Sequence, residues 1–393
     1  MRDPATTDAG ALLGRLGHGL RPLTRISYFL DAHVYGMHAW GFLATNLLAH
    51  VATALLVFAL ARRRAGIAGA CVGGILFALQ PTHGEVVAYV SGRSTGLMTM
   101  LVIGALVLHD RGRPALAVTT FVLACLAKEV ALVFPLLVVV WEATGGSSWR
   151  HCLRETRIYA IAAVTMFALL MAFANHRSIL AYSLELRSMP DSLVANGHAA
   201  LVMISLWARP WALSVDHDLV ASHAFGVAGL VLLSAALAGA LAARRRSRNL
   251  AFAVAWTIVA LLPTTSIIAK LDLVTEKPLY LAWVGPAVAA GVAFSALRSR
   301  SLAFVTAGAI IVASGIGSAW RARMWRDPIA LWEEATLASP NKSRCWNNLG
   351  MAYLAASRDG DAIAAFERAL ALDPGNEDAA NNLEVARLLD VNL

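Results

Sequence analysis

Apolar residues fall in long unbroken runs, near 40–61, 66–80, 94–109, 115–126, 130–142, 157–173, 222–243, 250–269, 279–297 and 302–319. Runs apolar on every side predict membrane-embedded or buried helices rather than the half-polar helices of a soluble domain. A full crossing takes about 20 apolar residues, so 66–80, 115–126 and 130–142 should be short helices or extend into their polar flanks. After residue 320 the pattern becomes that of a soluble helical unit. Trp346, Leu349, Gly350, Tyr353, Ala362, Phe366, Ala369 and Pro374 stand at the spacing of a tetratricopeptide helix-turn-helix repeat of roughly 34 residues. Small residues let its two helices close, aromatics fill the groove, and Pro374 stops the second helix. Asp327 to Ala338, with Trp332 at the large aromatic position, reads as the second helix of a preceding unit, and Asn376 to Asp390 as a capping helix. The expected fold class is all-α, with an outward segment 1–39, a polytopic membrane part 40–320 and a repeat unit 321–393. A stack this short predicts a structural or docking role, with a peptide-binding surface as the alternative.

Composition sharpens this picture. Of 393 residues, 58% are hydrophobic and 15% charged, against about a quarter charged in soluble domains, which excludes an ordinary soluble protein. The net charge is +8, yet residues 321–393 hold 8 cations and 11 anions, so the basic excess belongs to the apolar part. Its cations come as short clusters between apolar runs, which excludes nucleic acid as the partner and predicts a bilayer. The clusters are Arg62 to Arg64, Arg111 with Arg113, Arg150 with Arg154 and Arg157, Arg244 to Arg246 with Arg248, and Arg298 with Arg300. Two runs separate each consecutive pair, so all can lie in the cytoplasm if the amphipathic run 193–208 stays on the outer face. Segments 1–39, 81–93, 174–221, 270–278 and the tail then face outward, as in a multi-pass protein of a bacterial inner membrane with periplasmic repeats. Arg321, Arg323 and Arg326 weigh against an outward tail. Residues 1–39 show no signal peptide, which leads to the expectation that a preceding membrane helix is missing from this chain. Cys71, Cys125, Cys152 and Cys345 form no disulfide or zinc spacing, and no metal or cofactor is expected.

The informative residues are the polar ones between apolar runs. Gln80 to Arg93 sets His83, Glu85 and Arg93 between two runs. If Glu85 begins a helix, Arg93 follows two turns later on the same face, where a cation could hold a phosphate while a carboxylate or imidazole handles a proton. The alternative is that Glu85 and Arg93 neutralise each other. Lys128-Glu129, between two short runs, predicts a broken-helix tip buried in protein, or else a self-neutralising pair at the interface. Lysine occurs only as Lys128, Lys270, Lys277 and Lys342. Asp216, His217 and Asp218 have metal-ligand chemistry, but consecutive positions suit no single helix face, so a metal is not expected there. The last cluster is Lys270, Asp272, Glu276, Lys277 and Tyr280. Scattering such groups at membrane depth is costly, which predicts that His83, Glu85, Arg93, Lys128, Glu276 and Lys277 converge on one cavity.

Pro81-Thr82-His83-Gly84-Glu85 through Ser91-Gly92-Arg93, the Ala127-Lys128-Glu129 break, the Arg209-Pro210-Trp211-Ala212-Leu213-Ser214-Val215-Asp216 loop, the Glu276-Lys277-Pro278-Leu279-Tyr280-Leu281 loop and the terminal repeat form an ordered series. In that series the chain resembles the transmembrane and tetratricopeptide-repeat O-mannosyltransferases and their bacterial relatives, over nearly its whole length. Arg21-Pro22-Leu23-Thr24 to Asp31, Gly36 and Thr45 to His50 resemble that family's first outer loop and the helix after it. The resemblance implies an inverting polytopic glycosyltransferase of the C-type fold. It would move a mannose-like sugar from a polyprenyl-phosphate carrier to a protein or glycan hydroxyl on the outer face. It implies His83, Glu85 and Asp31 as catalytic candidates, and Arg93, Lys128, Glu129, Asp216, Glu276, Lys277 and Tyr280 at the donor phosphate or substrate. Arg93 and Lys128 are expected on the phosphate and Glu85 on a hydroxyl. The family's acidic dyad and first membrane helix are not recognisable here, and Lys277 replaces its arginine, so activity and divergence both stand open. The other class of reading is a non-catalytic anchor presenting the repeats to a protein partner. A transporter is disfavoured because no inverted repeat is visible.

Overall fold

The computed structural model describes residues 3–16, 21–265 and 269–390, and these are helical without strands; residues 266–268 of the run 250–269 lie outside the described residues. Each apolar run corresponds to a helix. Ala39–Ala78 is a hairpin of two arms, because Gly66 adopts φ 69° in the middle of it, a conformation that favours glycine. Gly74 of the second arm lies against Phe58 of the first, so 40–61 and 66–80 run side by side. The helices Arg93–Asp110, Pro114–Ala127, Phe134–Gly145, Trp149–Ala172, His223–Ala243, Arg248–Leu261, Lys277–Ala282 with Val284–Ala296, and Arg300–Met324 follow. Between Pro114–Ala127 and Phe134–Gly145, Lys128 is extended and a 3-10 turn covers Glu129–Val133. These two short runs are thus short helices joined by broken backbone.

Among the described residues, six helices are long and apolar enough to cross a membrane: Ala39–Ala78, Val90–Asp110, Trp149–Ala172, His223–Ala243, Lys277–Ala296 and Arg300–Met324. They fit a multi-pass membrane protein. Arg93–Asp110 is central and mostly buried, whereas Arg300–Met324 leaves Phe304, Val305, Val312 and Ile316 exposed. A contiguous apolar surface of that kind suits lipid, not water. Where the hairpin meets Val284–Ala296, Gly69 and Gly291 face each other with no space for a Cβ on either side, as small residues allow in membrane helix pairs.

The bundle has two chemically distinct ends. At one, Arg63 pairs with Asp110 at 2.5 Å, Arg64 donates to Thr144 Oγ1 at 3.0 Å, and Ser295 donates to Ala65 O at 2.7 Å. The arginine-rich turns therefore share one end. The polar segments expected outside gather at the other, where Tyr28 bonds Val90 O, Ser214 N bonds Glu276 and Lys342 bonds Asp216. Met189–Ser205, covering most of the run 193–208, packs through Gly197 onto Gly226 and Gly229, in the first turns of His223–Ala243.

Arg300–Met324 continues past residue 320 before turning into the repeat unit. Asp327 caps the helix Pro328–Ala338 by accepting from Ile329 and Ala330 N–H groups, with Pro328 at the first helical position. Ser343–Ala355 and Asp359–Leu372 form the repeat, and Glu377–Asp390 covers its end. Gly350 is required at the helix crossing, since a Cβ there would stand 2.5 Å from the Phe366 ring.

Candidate functional site

The helix Pro22–Tyr35 lies across the polar end. Thr24 Oγ1 donates to Ala127 O at 3.0 Å and the Tyr28 hydroxyl to Val90 O at 2.9 Å. These anchors set Asp31 against Arg93. The buried Arg93 guanidinium donates to Asp31 Oδ2 at 2.7 Å, Phe42 O at 2.6 Å, Ser27 Oγ at 3.2 Å and Asn46 Oδ1, and lies over the Tyr28 ring. Asp31 Oδ1 accepts from the Thr45 hydroxyl at 2.7 Å. All three Arg93 nitrogens thus have protein partners, the arrangement expected of a buried charge kept in place.

Glu85 and Arg93 do not share a helix face. The short helix Gly84–Val87 ends at Ala88, and Tyr89 is extended. The chain then folds back so closely that a Cβ on Gly92 would stand 2.5 Å from Val86 O. Glu85 turns to Lys277 instead, with Nζ at 2.9 Å. Burial pushes the Glu85 carboxyl up, against the opposing pull of Lys277. Lys277 also sits 5.2 Å from the centre of the Tyr89 ring.

The broken tip places its two charges differently from a self-neutralising pair. Glu129 accepts from Arg21 at 2.7 and 3.1 Å; burial alone would raise its carboxyl, but the Arg21 hydrogen bonds and charge outweigh that and hold it at about 2. Lys128 donates to Thr95 Oγ1 at 2.8 Å, and among the described residues no carboxylate reaches ion-pair distance of it. Burial brings its ammonium down to about 8, and the Arg21 charge adds to that. Its charged neighbours are Arg21, Glu129, Lys277 and Glu85, which counts as three cations with Lys128 itself against two carboxylates.

Behind this group lies an aromatic cluster. The His83 ring centre is 4.5 Å from that of Tyr280 and 4.7 Å from that of Phe77. Burial lowers the His83 pKa well below the ordinary range, so the ring is neutral. The Tyr280 hydroxyl is 2.8 Å from His50 Nδ1, while His50 Nε2 is 3.0 Å from Ala78 O. A carbonyl only accepts, which puts the His50 proton on Nε2 and makes Tyr280 the donor to Nδ1.

Glu276 and Asp216 stand on the side of the repeat unit. Fully buried Glu276 accepts from Ser214 N at 2.8 Å, with His217 Nε2 at 3.4 Å. Asp216 is clamped by Lys342 Nζ and Arg344 Nε, each at 2.8 Å, and the same two side chains reach Asp272 at 3.0 and 2.9 Å. The candidate residues therefore gather at one end in adjoining groups: Glu85, Lys128, Glu129 and Lys277 together, Asp31 with Arg93 beside them, His83 with Tyr280 behind, and Glu276 with Asp216 at the junction. Sequence reasoning singled out neither Arg21, Asn46, His50 nor Arg321 for the site. Asn46 and His50, one helical turn apart in an apolar run, carried a usable signal, since polar side chains in such runs are costly unless they face a polar interior.

The tetratricopeptide repeat family matches residues 343–376. Over 118 residues the chain is 30% identical to a protein O-mannosyl-transferase of Caenorhabditis elegans, covering 28% of this chain and 17% of that protein. The match thus spans about a sixth of that relative's length. No solved structure matches the chain.

Proposed function

We propose that the chain is a membrane glycosyltransferase that takes a sugar from a polyprenyl-phosphate carrier and delivers it to a protein or glycan hydroxyl at its polar end. The observation that carries this reading is the uncompensated Lys128 ammonium, placed beside the Glu85–Lys277 pair at the end of a bundle whose sides suit lipid. A half-buried cation without a carboxylate calls for an anion, and a lipid-borne phosphate reaches that depth with its chain still in the bilayer. Glu85, raised by burial, suits the proton of an acceptor or sugar hydroxyl. Lys277 steadies it and adds positive potential for a departing phosphate. Arg93 holds Asp31 and Asn46 in place beside the phosphate site. The similarity to an O-mannosyl-transferase supports the same class of reaction. The periplasmic side of a bacterial inner membrane is the compartment this reading favours.

The test is binding of a polyprenyl phosphate to the full chain in nanodiscs. Lys128→Ala should weaken binding by about tenfold or more, as expected for a lost hydrogen bond to a charged group worth ~1.5–3 kcal/mol, while Lys128→Arg should retain it. Glu85→Gln should bind normally and lose transfer. Wild-type affinity in Lys128→Ala would overturn the assignment, and no binding in any variant would favour a scaffold that presents its repeat to a protein partner.

A further inference from the structure

Arg321 touches both chain segments that carry the Glu85–Lys277 pair. Its Cγ lies where a Cβ on Gly84 would come within 2.8 Å, so the turn bearing Glu85 rests on the arginine stem. Its NH2 stands 3.8 Å from Glu276 Oε1, immediately before Lys277 in the chain. On its far side NH1 donates to Glu334 Oε2 at 2.7 Å, in the first helix of the repeat unit. The side chain is fully buried between these three. Trp325, one turn further along, packs against the same Gly84 and stacks on Tyr89, the ring beneath Lys277, with ring centres 5.5 Å apart.

The junction is under-satisfied in this arrangement. Among the described residues, Arg321 Nε and NH2, Glu276 Oε2 and Trp325 Nε1 are buried with no hydrogen-bond partner. Buried polar groups are ordinarily paired, and each orphan costs free energy. Closing Nε and NH2 directly onto Glu276 would pair three of these atoms, while NH1 on Glu334 draws the guanidinium to its other side.

We infer that Arg321 is a positioning residue through which docking of the repeat unit sets the geometry of the Glu85–Lys277 pair. With the repeat seated by Lys342 and Arg344 on Asp216 and Asp272, Glu334 holds Arg321 under Gly84. With the repeat lifted, Arg321 turns to Glu276 and the turn 84–89 loses its support. A ligand that engages the repeat unit would thereby act on the membrane site. This rests on the reading of Glu85 and Lys277 as site residues, but its test needs no donor lipid.

Hydrogen–deuterium exchange of the full chain in nanodiscs reads the coupling directly. The double variant Lys342→Ala/Arg344→Ala loosens the clamp on Asp216 and Asp272 and leaves Glu85, Lys128 and Lys277 unchanged, and Glu334→Gln removes the charge that holds Arg321 while keeping its volume. Both should speed exchange of amides 84–89 by about fivefold or more, the lower end of ordinary coupling free energies, and Glu334→Asp should restore part of the protection. In the clamp variant, faster exchange of Ser343–Ala355 with 84–89 unchanged would overturn the proposal, as would no change in either segment. Loss of the Lys128 effect on lipid-phosphate binding with this exchange result intact would remove the assigned chemistry and leave the coupling in place.

Discussion

At the scale of single residues, the polar end is defined by which charge pairs with which. Lys128 is the group whose ionisation matters most for a phosphate, because its ammonium is brought down to about 8. Below that pH it is charged and can hold an anion; above it the neutral amine cannot. Affinity for polyprenyl phosphate should therefore fall as pH rises from about 7 to about 9, and Lys128→Arg should flatten the profile because guanidinium stays charged throughout. A profile unchanged by the arginine substitution would place the titrating group elsewhere. The pairing itself was only half legible in the sequence. That His83, Glu85, Arg93, Lys128, Glu276 and Lys277 would collect at one end could be argued from the cost of scattering them, but they stand there in adjoining groups, with Arg93 on Asp31 and apart from the charged neighbours of Lys128. That Arg93 would choose Asp31 and Glu129 would choose Arg21 could not, because those partners lie 62 and 108 residues away and the choice depends on how the helix Pro22–Tyr35 lies across the bundle. The neighbours in sequence, Glu85 for Arg93 and Lys128 for Glu129, were the wrong guide once the backbone broke at Tyr89 and at Lys128.

At the scale of elements, hydrophobic pattern carried almost everything. The ten apolar runs correspond to helices, and the three short ones are short in the structure, joined by a Gly66 hairpin turn and by the Lys128 break. A run cannot announce how tightly it folds back, and that is where glycine decides. At Gly92 an added Cβ would meet Val86 O at 2.5 Å and Glu85 O at 2.6 Å, both backbone atoms that cannot swing aside. Gly92→Ala should destabilise the protein by about 1–3 kcal/mol or more, the usual cost of overpacking. Gly308→Ala in the helix Arg300–Met324, where nothing lies within 4 Å, should be neutral or stabilising by up to ~1 kcal/mol through helix propensity. Thermal unfolding followed by a fluorescence-detected size profile separates the two. Equal stability of Gly92→Ala and wild type would show that the turn 85–92 has more room than its carbonyls leave it.

At the scale of the whole molecule, the two ends make a claim about sidedness that needs no knowledge of the reaction. The arginine turns meet each other at one end, while Ser339, Lys342 and Arg344 at the start of the repeat reach Asp216, His217 and Asp272 at the other. His223–Ala243 connects the two ends with 21 residues, about 31 Å at 1.5 Å per residue and close to the thickness of a hydrocarbon core. Arg321, one of the three basic residues that weigh against an outward tail, is buried against Glu334 and Glu276 and so is no free charge at the headgroups. Of the three basic residues 321, 323 and 326, Arg323 and Arg326 remain exposed, against the five arginine clusters of the opposite end, and the bias in basic residues keeps its direction. Asn341→Cys and Arg245→Cys, each treated in intact cells with a membrane-impermeant maleimide, should therefore label on opposite sides, Asn341→Cys from outside and Arg245→Cys only after permeabilisation. If both label from one side, His223–Ala243 does not cross, and the even count of spans between arginine clusters fails with it. If they label on opposite sides with the order reversed, the polar end faces the cytoplasm, and an acceptor on the outer face is excluded.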